Sequence, residues 1–206
     1  MRIIVATFTY SPNVDGVAAA ARQMVENFQR AGHDVCVATS PVISPNISER
    51  DETTGVRRFN ISGSPAVGVG FHGDVLEYQN FLRSFQPDVI VFHCWNTWTA
   101  ETALPILGEV GAKTVLLSHG YVSHMIEKPR KLPRGVYRWI RWLPHVLALP
   151  RQLVAFDRVV FLSGKTDMSR FFDARIAKLF RCGNTMVIPN GVEPHASAQD
   201  GNFRKA

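Results

Sequence analysis

Short runs of β-branched and apolar residues alternate along the chain with stretches whose apolar positions recur at the spacing of a helix. The first run, RIIVATF (Arg2 to Phe8), has the composition of a strand buried on both faces. After TYSPNVDG the period changes. In VAAAARQMVENFQRAG the apolar positions Val17, Ala20, Ala21, Met24, Val25 and Phe28 fall on one helical face, and Gly32 supplies a C-terminal stop. DVCVATS (Asp34 to Ser40) returns to strand. Strand, helix and strand in direct succession make a βαβ unit, which demands parallel pairing and a right-handed connection.

The alternation continues. GVRRFNI predicts a third strand, SGSPAVGVGFHG a Gly-rich loop, and Asp74 to Phe85 a helix. DVIVFHC (Asp88 to Cys94) is the most strand-like run in the chain. TAETALPILGEVG reads as a helix despite Pro105, and KTVLLSHG as a fifth strand. RVVFLS (Arg158 to Ser163), a helix over Lys165 to Phe172, and TMVIPN complete the pattern before a polar tail. Strands alternating with helices predict an α/β fold with a doubly wound, mainly parallel, Rossmann-like sheet. Such sheets bind ligands beyond the carboxyl ends of their strands, near the point where strand order reverses. The loops TYSPNVDG, HCWNTW, SHGYVSH and SGKT should therefore gather along one edge.

A chain of 206 residues is long enough for one good domain and short for two. Cys36, Cys94 and Cys182 stand far apart with no CxxC pair, so no metal and no disulfide framework is expected. The first apolar run is too short for a signal peptide, and no stretch approaches the ~20 apolar residues of a membrane span. The expectation is a soluble, cytoplasmic protein, with a possible peripheral place at the inner membrane face. Charge sharpens the picture in one place. From Glu127 to Arg151 lie seven basic residues and one acidic one, an excess equal to the whole net charge of +6. That excess needs a local explanation rather than a generally basic surface.

Several common motifs are missing. No GxGxxG follows the first strand, SGKT lacks the upstream glycine of a phosphate-cradling loop, and neither GxSxG nor HExxH occurs. Nicotinamide oxidoreductase and P-loop nucleotidase are both weak readings.

The candidates that remain each have a bland alternative. Gly16, opening the first helix, would let an anion approach N–H groups at a positive dipole end, or would merely help the chain turn. His119 ends the fifth strand, where an imidazole can bond a sugar hydroxyl or stabilise developing charge, and Gly120 beside it allows close backbone approach. His119 is the strongest single candidate; its alternative is a surface imidazole. His93 ends the fourth strand similarly, with neighbours that suggest a structural role. Trp95, Asn96 and Trp98 could stack on and bond a sugar, or fold back onto the core. Arg134, Arg138, Arg141 and His145 recur at helical spacing, with Val136, Ile140, Leu143 and Leu147 on another face and Trp139 and Trp142 beside them. That pattern suits an anionic membrane surface, or a core-facing helix with a solvated basic side. Pro144 should kink or end it. Nothing resembles a nucleic-acid recognition element, so no nucleic-acid partner is expected.

With these loops placed, the chain resembles the amino-terminal domain of a GT-B fold glycosyltransferase of the large retaining family that builds lipopolysaccharide, capsule and glycolipids. The resemblance rests on YSPNVDGVAAAARQMVENFQRAGHDVCVAT, FQPDVIVFHCWN, VLLSHG, FDRVVFLSGKT and VIPNGVE, which occur in the family's order and cover most of the chain. It implies one half of a GT-B architecture: residues 1–190 as the acceptor-side domain and 191–206 as a linker toward a second, donor-binding domain. It implies a nucleotide-sugar donor, a glycan or lipid-linked acceptor, and no metal or other cofactor. The family's His near the reacting sugar carbon corresponds to His119. Where the family has two glycines near the donor phosphates, this chain has Asp15 and Gly16, so only Gly16 carries over and an acid stands beside it. His93, Trp95, Asn96, Gly120 and Tyr121 become acceptor-side candidates. Lys128, Arg130, Lys131, Arg134, Arg138 and Arg141 become candidates for a membrane or an anionic acceptor. Two rivals remain: a subunit of a two-chain transferase whose partner supplies the donor domain, with an exposed apolar face to bind it, and a non-catalytic Rossmann-like binding module.

Overall fold

The computed structural model describes residues 1–42, 55–120, 134–166 and 171–189; for residues 134, 135, 138 and 139 it describes the backbone alone. The first apolar run forms β1 (Arg2–Ala6), and its alternate side chains serve two separate cores. Ile4 and Ala6 face one layer, Ile3 and Val5 the other. Helix α1 (Gly16–Arg30) presses Ala21 and Val25 onto Ile3 and Val5, and β2 (Asp34–Thr39) then pairs parallel to β1 from Arg2↔Asp34 to Ala6↔Ala38. The βαβ expectation holds.

The chain continues through β3 (Val56–Arg58) and a hairpin of β4 (Ile61–Ser64) with β5 (Gly70–Gly73), then α2 (Val75–Ser84) and β6 (Val89–His93). Next come α3 (Trp98–Glu101), β7 (Lys113–Ser118), α4 (Arg134–Ala155), β8 (Arg158–Phe161), α5 (Phe172–Leu179) and β9 (Thr185–Val187). Seven strands form one sheet in the order β3-β2-β1-β6-β7-β8-β9, every pair parallel. Strand order reverses between β1 and β6, so the crevice for a ligand opens where those strands end, at Thr7 and Cys94. Helices α2 to α5 cover one face with Tyr78, Leu82, Trp98, Leu149, Leu153 and Phe172. Over the other face α1 is the only helix among the described residues. Beyond it an apolar groove of about 540 Å³ runs between Met24 and Phe28 of α1 and Val115, Leu162 and Ile188 of the β6–β9 half.

The structure departs from expectation in three places. The Gly-rich stretch is the β4–β5 hairpin rather than a loop. Its glycines serve close antiparallel approach: Gly63 has φ +125°, and a Cβ there would collide with the Gly70 carbonyl. TAETALPILGEVG is not one helix. Pro105 cannot donate the next helical bond, so α3 stops at Glu101 and Leu104–Ile106 forms a single 3₁₀ turn closed by Ile106 N–H to Ala103 O. Of the helix expected over Lys165 to Phe172, residues 167–170 lie outside the described residues; Lys165 and Thr166 are not helical, the Lys165 N–H being taken by Ser163 Oγ at 3.2 Å, and α5 begins at Phe172. Of the two outcomes expected at Pro144, a kink or an end, the helix does not end: α4 continues through Pro144 and Pro150 to Ala155. Leu149 and Leu153, both fully covered, anchor it on either side of Pro150.

Candidate functional site

The chain leaving β1 is pinned before it reaches α1. The Thr7 hydroxyl donates to Thr9 O at 2.9 Å, and the Thr9 hydroxyl donates to Asp15 Oδ2 at 2.6 Å. Asp15 caps α1, its Oδ1 accepting from the N–H groups of Val17 and Ala18, both at 2.9 Å. Burial pulls its carboxyl up, but the Thr9, Ala18 and Val17 bonds outweigh that and hold it below the ordinary carboxylate range. The helix end expected to receive an anion is thus occupied by the chain's own carboxylate. Gly16 has nothing within 4 Å of where a Cβ would stand, so open space lies in front of it.

Across the reversal, β6 ends in His93, which is completely buried. Its Nδ1 stands 3.2 Å from Nε2 of His119, the residue after β7, with the rings tilted at 33°. The register His93↔Leu117 places the two strand ends side by side. Burial first, and then the neighbouring His119, push His93 down to about 3; burial lowers His119 as well. Both imidazoles are therefore neutral at pH 7, and one proton lies between them. His93 Nε2 is buried with no hydrogen-bond partner among the described residues. A buried bare lone pair costs less than a buried orphan N–H, so the network assigns the shared proton to His93 Nδ1. With that assignment His119 Nε2 accepts, which puts the N–H of His119 on Nδ1.

Cys94, at φ +71°, turns the chain out of β6 while its N–H bonds Leu117 O at 3.0 Å. Burial and the Asp15 charge push its thiol up to about 12 against a hydrogen bond from the His119 backbone. It is a protonated thiol and no nucleophile at neutral pH. The Cys94 N–H bond to Leu117 O ties the β6 and β7 exits together. Gly120, at φ +110°, donates its N–H to Ser118 Oγ at 3.2 Å, and Ser118 in turn donates to the fully buried Asp173 at 2.5 Å. Burial raises the Asp173 carboxyl, opposed by Ser118, the Ala174 N–H and the Trp95 indole.

Trp95 is not the exposed stacking platform the sequence suggested. It is 4 % exposed and meets Phe156 edge-on at 5.9 Å, because the left-handed turn at Cys94 sends the next side chain into the core. Trp98 is likewise core, its indole N–H donating to Ser40 Oγ at 2.9 Å and its ring packed on Tyr78. Asn96, at φ +58°, turns its amide oxygen toward α4, where His145 Nε2 donates to it at 2.7 Å. Glu101 Oε1 lies 3.5 Å from the same nitrogen. Burial pushes His145 down to about 4 and Glu101 up to about 7, so at neutral pH the imidazole is uncharged and the carboxyl is about half protonated.

Tyr121, Lys128, Arg130 and Lys131 lie outside the described residues, and Arg134 and Arg138 lie on α4 with undescribed side chains. Arg141 does not reach the site. Its Nε donates to Val67 O at 2.7 Å, fastening α4 to the hairpin tip. The structure therefore brings together His93, His119, Gly120, Asp15 and Gly16, and sets Trp95 and Asn96 behind them as scaffold. Sequence reasoning missed Ser118, Asp173, Glu101 and the inward role of His145. Each is paired across 44 to 55 residues or by a loop turn, which no local pattern signals. Among the described residues no group of three or more His, Cys, Asp or Glu side chains could hold a metal.

Residues 15–191 match the family model described as a glycosyl transferase 4-like domain. No curated protein matches the sequence. Among solved structures, the chain is similar to MurG from Acinetobacter baumannii, with 7% identity and a TM-score of 0.52 over 95% of this chain and 46% of that one. It is similar to the catalytic domain of starch synthase IV from Arabidopsis thaliana, bound to ADP and acarbose, at 14% identity and TM-score 0.52 over 92% of this chain and 51% of that one. A third similar structure is an alpha-glucosyltransferase in complex with UDP-glucose and DNA, at 12% identity and TM-score 0.52, covering 92% and 42%. At these identities the likeness is one of fold, and the chain spans about half or less of each of these structures.

Proposed function

The chain belongs to the glycosyl transferase 4-like domain family and has the fold of an amino-terminal GT-B half, and we propose that it is the acceptor-side domain of a nucleotide-sugar-dependent transferase building a cell-surface glycan or glycolipid. On this reading the acceptor is a lipid-linked or anionic glycan, and a donor-binding domain outside residues 1–190 completes the crevice. The apolar groove beside α1, which no described helix covers, is in keeping with a second domain or a partner subunit against this half.

The observation that carries the reading is the neutral His93–His119 pair at the reversal of strand order. In the transfer, the bond between the donor sugar carbon and its diphosphate oxygen breaks and a bond from an acceptor hydroxyl oxygen to that carbon forms. The leaving phosphate takes up the acceptor proton, so the domain need supply no carboxylate pair. What it supplies is position and an oriented dipole. His119 Nδ1–H, fixed by the buried His93 behind it, donates to a donor-sugar hydroxyl or to the oxygen that gains charge. The Asp15 carboxylate at the opposite lip disfavours a diphosphate directly on α1, so the donor phosphates belong mainly to the other domain, with Gly16 leaving room for them.

The test is sugar transfer. The chain joined to its donor-binding half should transfer sugar from a nucleotide-sugar to a glycan or glycolipid acceptor. Binding of a glycan by the assembled protein with no transfer from any nucleotide-sugar would support the non-catalytic module instead.

A further inference from the structure

Ser118 is the last residue of β7, and its hydroxyl holds the chain on both sides of His119. It shares a face of the strand with Leu116, toward the layer of α2 to α5. There its Oγ meets Asp173 Oδ2 at 2.5 Å, while the Gly120 N–H reaches the same Oγ at 3.2 Å. The direction of the two bonds follows from the groups themselves. A backbone N–H can only donate, so Ser118 Oγ accepts from Gly120 and its own proton goes to Asp173.

His119 stands between the two clamped residues. Strand alternation turns it away from the Ser118 face, to the side of Leu117 and Val91, where His93 stands two residues after Val91. Its own N–H donates to the Cys94 sulfur, beside His93. Gly120, at φ +110°, takes a backbone conformation that favours glycine, and the bond to Ser118 holds it there. The 3.2 Å approach of His119 Nε2 to His93 Nδ1 is thus set from the opposite face of the strand.

Capping a helix does not account for Asp173. The residue is completely buried, and hydrogen bonding alone offsets that burial: from Ser118, from the Ala174 N–H at 2.9 Å, from the Trp95 indole and from its own N–H. One oxygen, Oδ1, serves the first turn of α5 through Ala174, and the other is left to Ser118, 55 residues away. Trp95 comes two residues after His93, so the carboxyl acts on both strand exits that carry an imidazole. We infer that Asp173 is a positioning residue for the His93–His119 pair, fixing the backbone around His119 through Ser118 and so holding its ring on His93 in one tautomer. Its effect on the rings stands apart from the transferase reading; its effect on turnover rests on that reading.

The experiment is a two-bond 1H–15N NMR spectrum of the histidine rings in the whole 206-residue chain at neutral pH. The wild type should show His119 in a single tautomer, protonated on Nδ1. Asp173→Asn has one acceptor oxygen and cannot take both the Ser118 and the Ala174 proton. In that variant His119 should show both tautomers, and the Gly120 amide should exchange at least about tenfold faster. Ser118→Ala, which breaks the link and leaves Asp173 on Ala174, should do the same and serves if Asp173→Asn does not fold. Ser118→Thr keeps the hydroxyl and should retain the wild-type pattern. An unchanged His119 tautomer in either folded Asp173→Asn or folded Ser118→Ala overturns the inference. In the enzyme assembled with its donor-binding half, Asp173→Asn should lower kcat about tenfold with little change in the acceptor KM, and should cost nothing further in a His119→Ala background. An equal loss in both backgrounds would make Asp173 a structural residue and overturn its positioning role. An assembly that transfers no sugar counts against the transferase reading, while the ring spectra still decide what Asp173 does.

Discussion

His93 Nδ1 and His119 Nε2 stand 3.2 Å apart at the carboxyl ends of the adjacent parallel strands β6 and β7. The relationship follows from register. Pairing His93 with Leu117 leaves His119 two residues further along β7, beyond the last hydrogen-bonded residue and turned back over its neighbour. One ring is buried and the other is half-buried, so the first constrains the tautomer of the second. The remaining predictions concern what holds this pair, its loop and its neighbours in place.

Acid should weaken the fold, with a defined sign. Burial holds His93 at about 3 and His145 at about 4, against an ordinary 6.5. As pH falls through 6.5 the unfolded chain takes up these protons and the folded chain does not, so stability drops from pH 6.5 toward 4. Glu101 acts in the opposite sense. Burial lifts it to about 7, so the folded chain keeps a proton that the unfolded chain releases above 4.5, and its contribution is lost as pH rises. These three groups together give a net loss of roughly 1.4 kcal/mol per pH unit below 6.5; His119, also lowered by burial, adds to it and Asp173, raised by burial, opposes it. Urea unfolding at pH 7, 6 and 5 should show that decline, and a steeper one in Glu101→Gln. A shallower decline in the variant would contradict the account.

The His145–Asn96 bond should be worth more than a surface contact. Asn96 sits at φ +58° with its oxygen held at 2.7 Å, so His145→Ala leaves a buried void and an unpaired acceptor. The expected loss is about 2–4 kcal/mol, of which His145→Gln recovers about 1 by restoring an N–H donor. Chemical denaturation measures both. A loss below about 0.5 kcal/mol for the alanine variant would mean the loop holds its shape without α4.

The hairpin glycines should differ in tolerance. At Gly63 an added Cβ meets the Gly70 carbonyl at φ +125°, whereas at Gly68, φ +77°, the nearest atom is the movable Arg141 Nη2 at 3.8 Å. Gly63→Ala should therefore cost about 2–3 kcal/mol and Gly68→Ala about 1. Equal costs would mean the backbone approach at Gly63 is not a constraint.

Asp15 should act as a cap through its oxygen rather than its charge. Asp15→Ala removes the acceptor for the Val17 and Ala18 N–H groups and should cost about 1 kcal/mol, while Asp15→Asn should recover most of it. Thermal unfolding compares the two. If asparagine were no better than alanine, the carboxylate's charge would be the stabilising feature.

Much of this architecture was legible in the chain, for a physical reason. Strands such as β1, β6 and β7 are buried on both faces, so burial writes an unbroken apolar run into them, and α1 shows its period because one face alone is covered. His119 and Gly120 could be placed because a strand end in a parallel sheet is a fixed address. Trp95 could not. Whether an aromatic after a strand points inward depends on the left-handed turn at Cys94, which side-chain composition does not reveal. His145 looked like part of a basic face because helical spacing gives angle without saying which side is covered. Ser118 and Asp173 find each other only through the β7–β8 pairing and the helix that follows it. The exposed stripe of α4 is visible as apolar residues, but spacing alone leaves open whether it packs on the core or faces outward.

The central claim is that His119 acts on the reacting sugar, and the most direct measurement is the turnover of His119→Ala in the enzyme assembled with its donor-binding half. His119 is only partly buried, so circular dichroism should be preserved. The account predicts that kcat falls at least about 100-fold, while the KM for the acceptor changes far less, since the lost hydrogen bond belongs to the transition state. His119→Gln, which keeps a donor, should recover part of the loss. Unchanged turnover in a folded alanine variant would contradict the claim and leave the histidine pair a structural feature of the sheet edge.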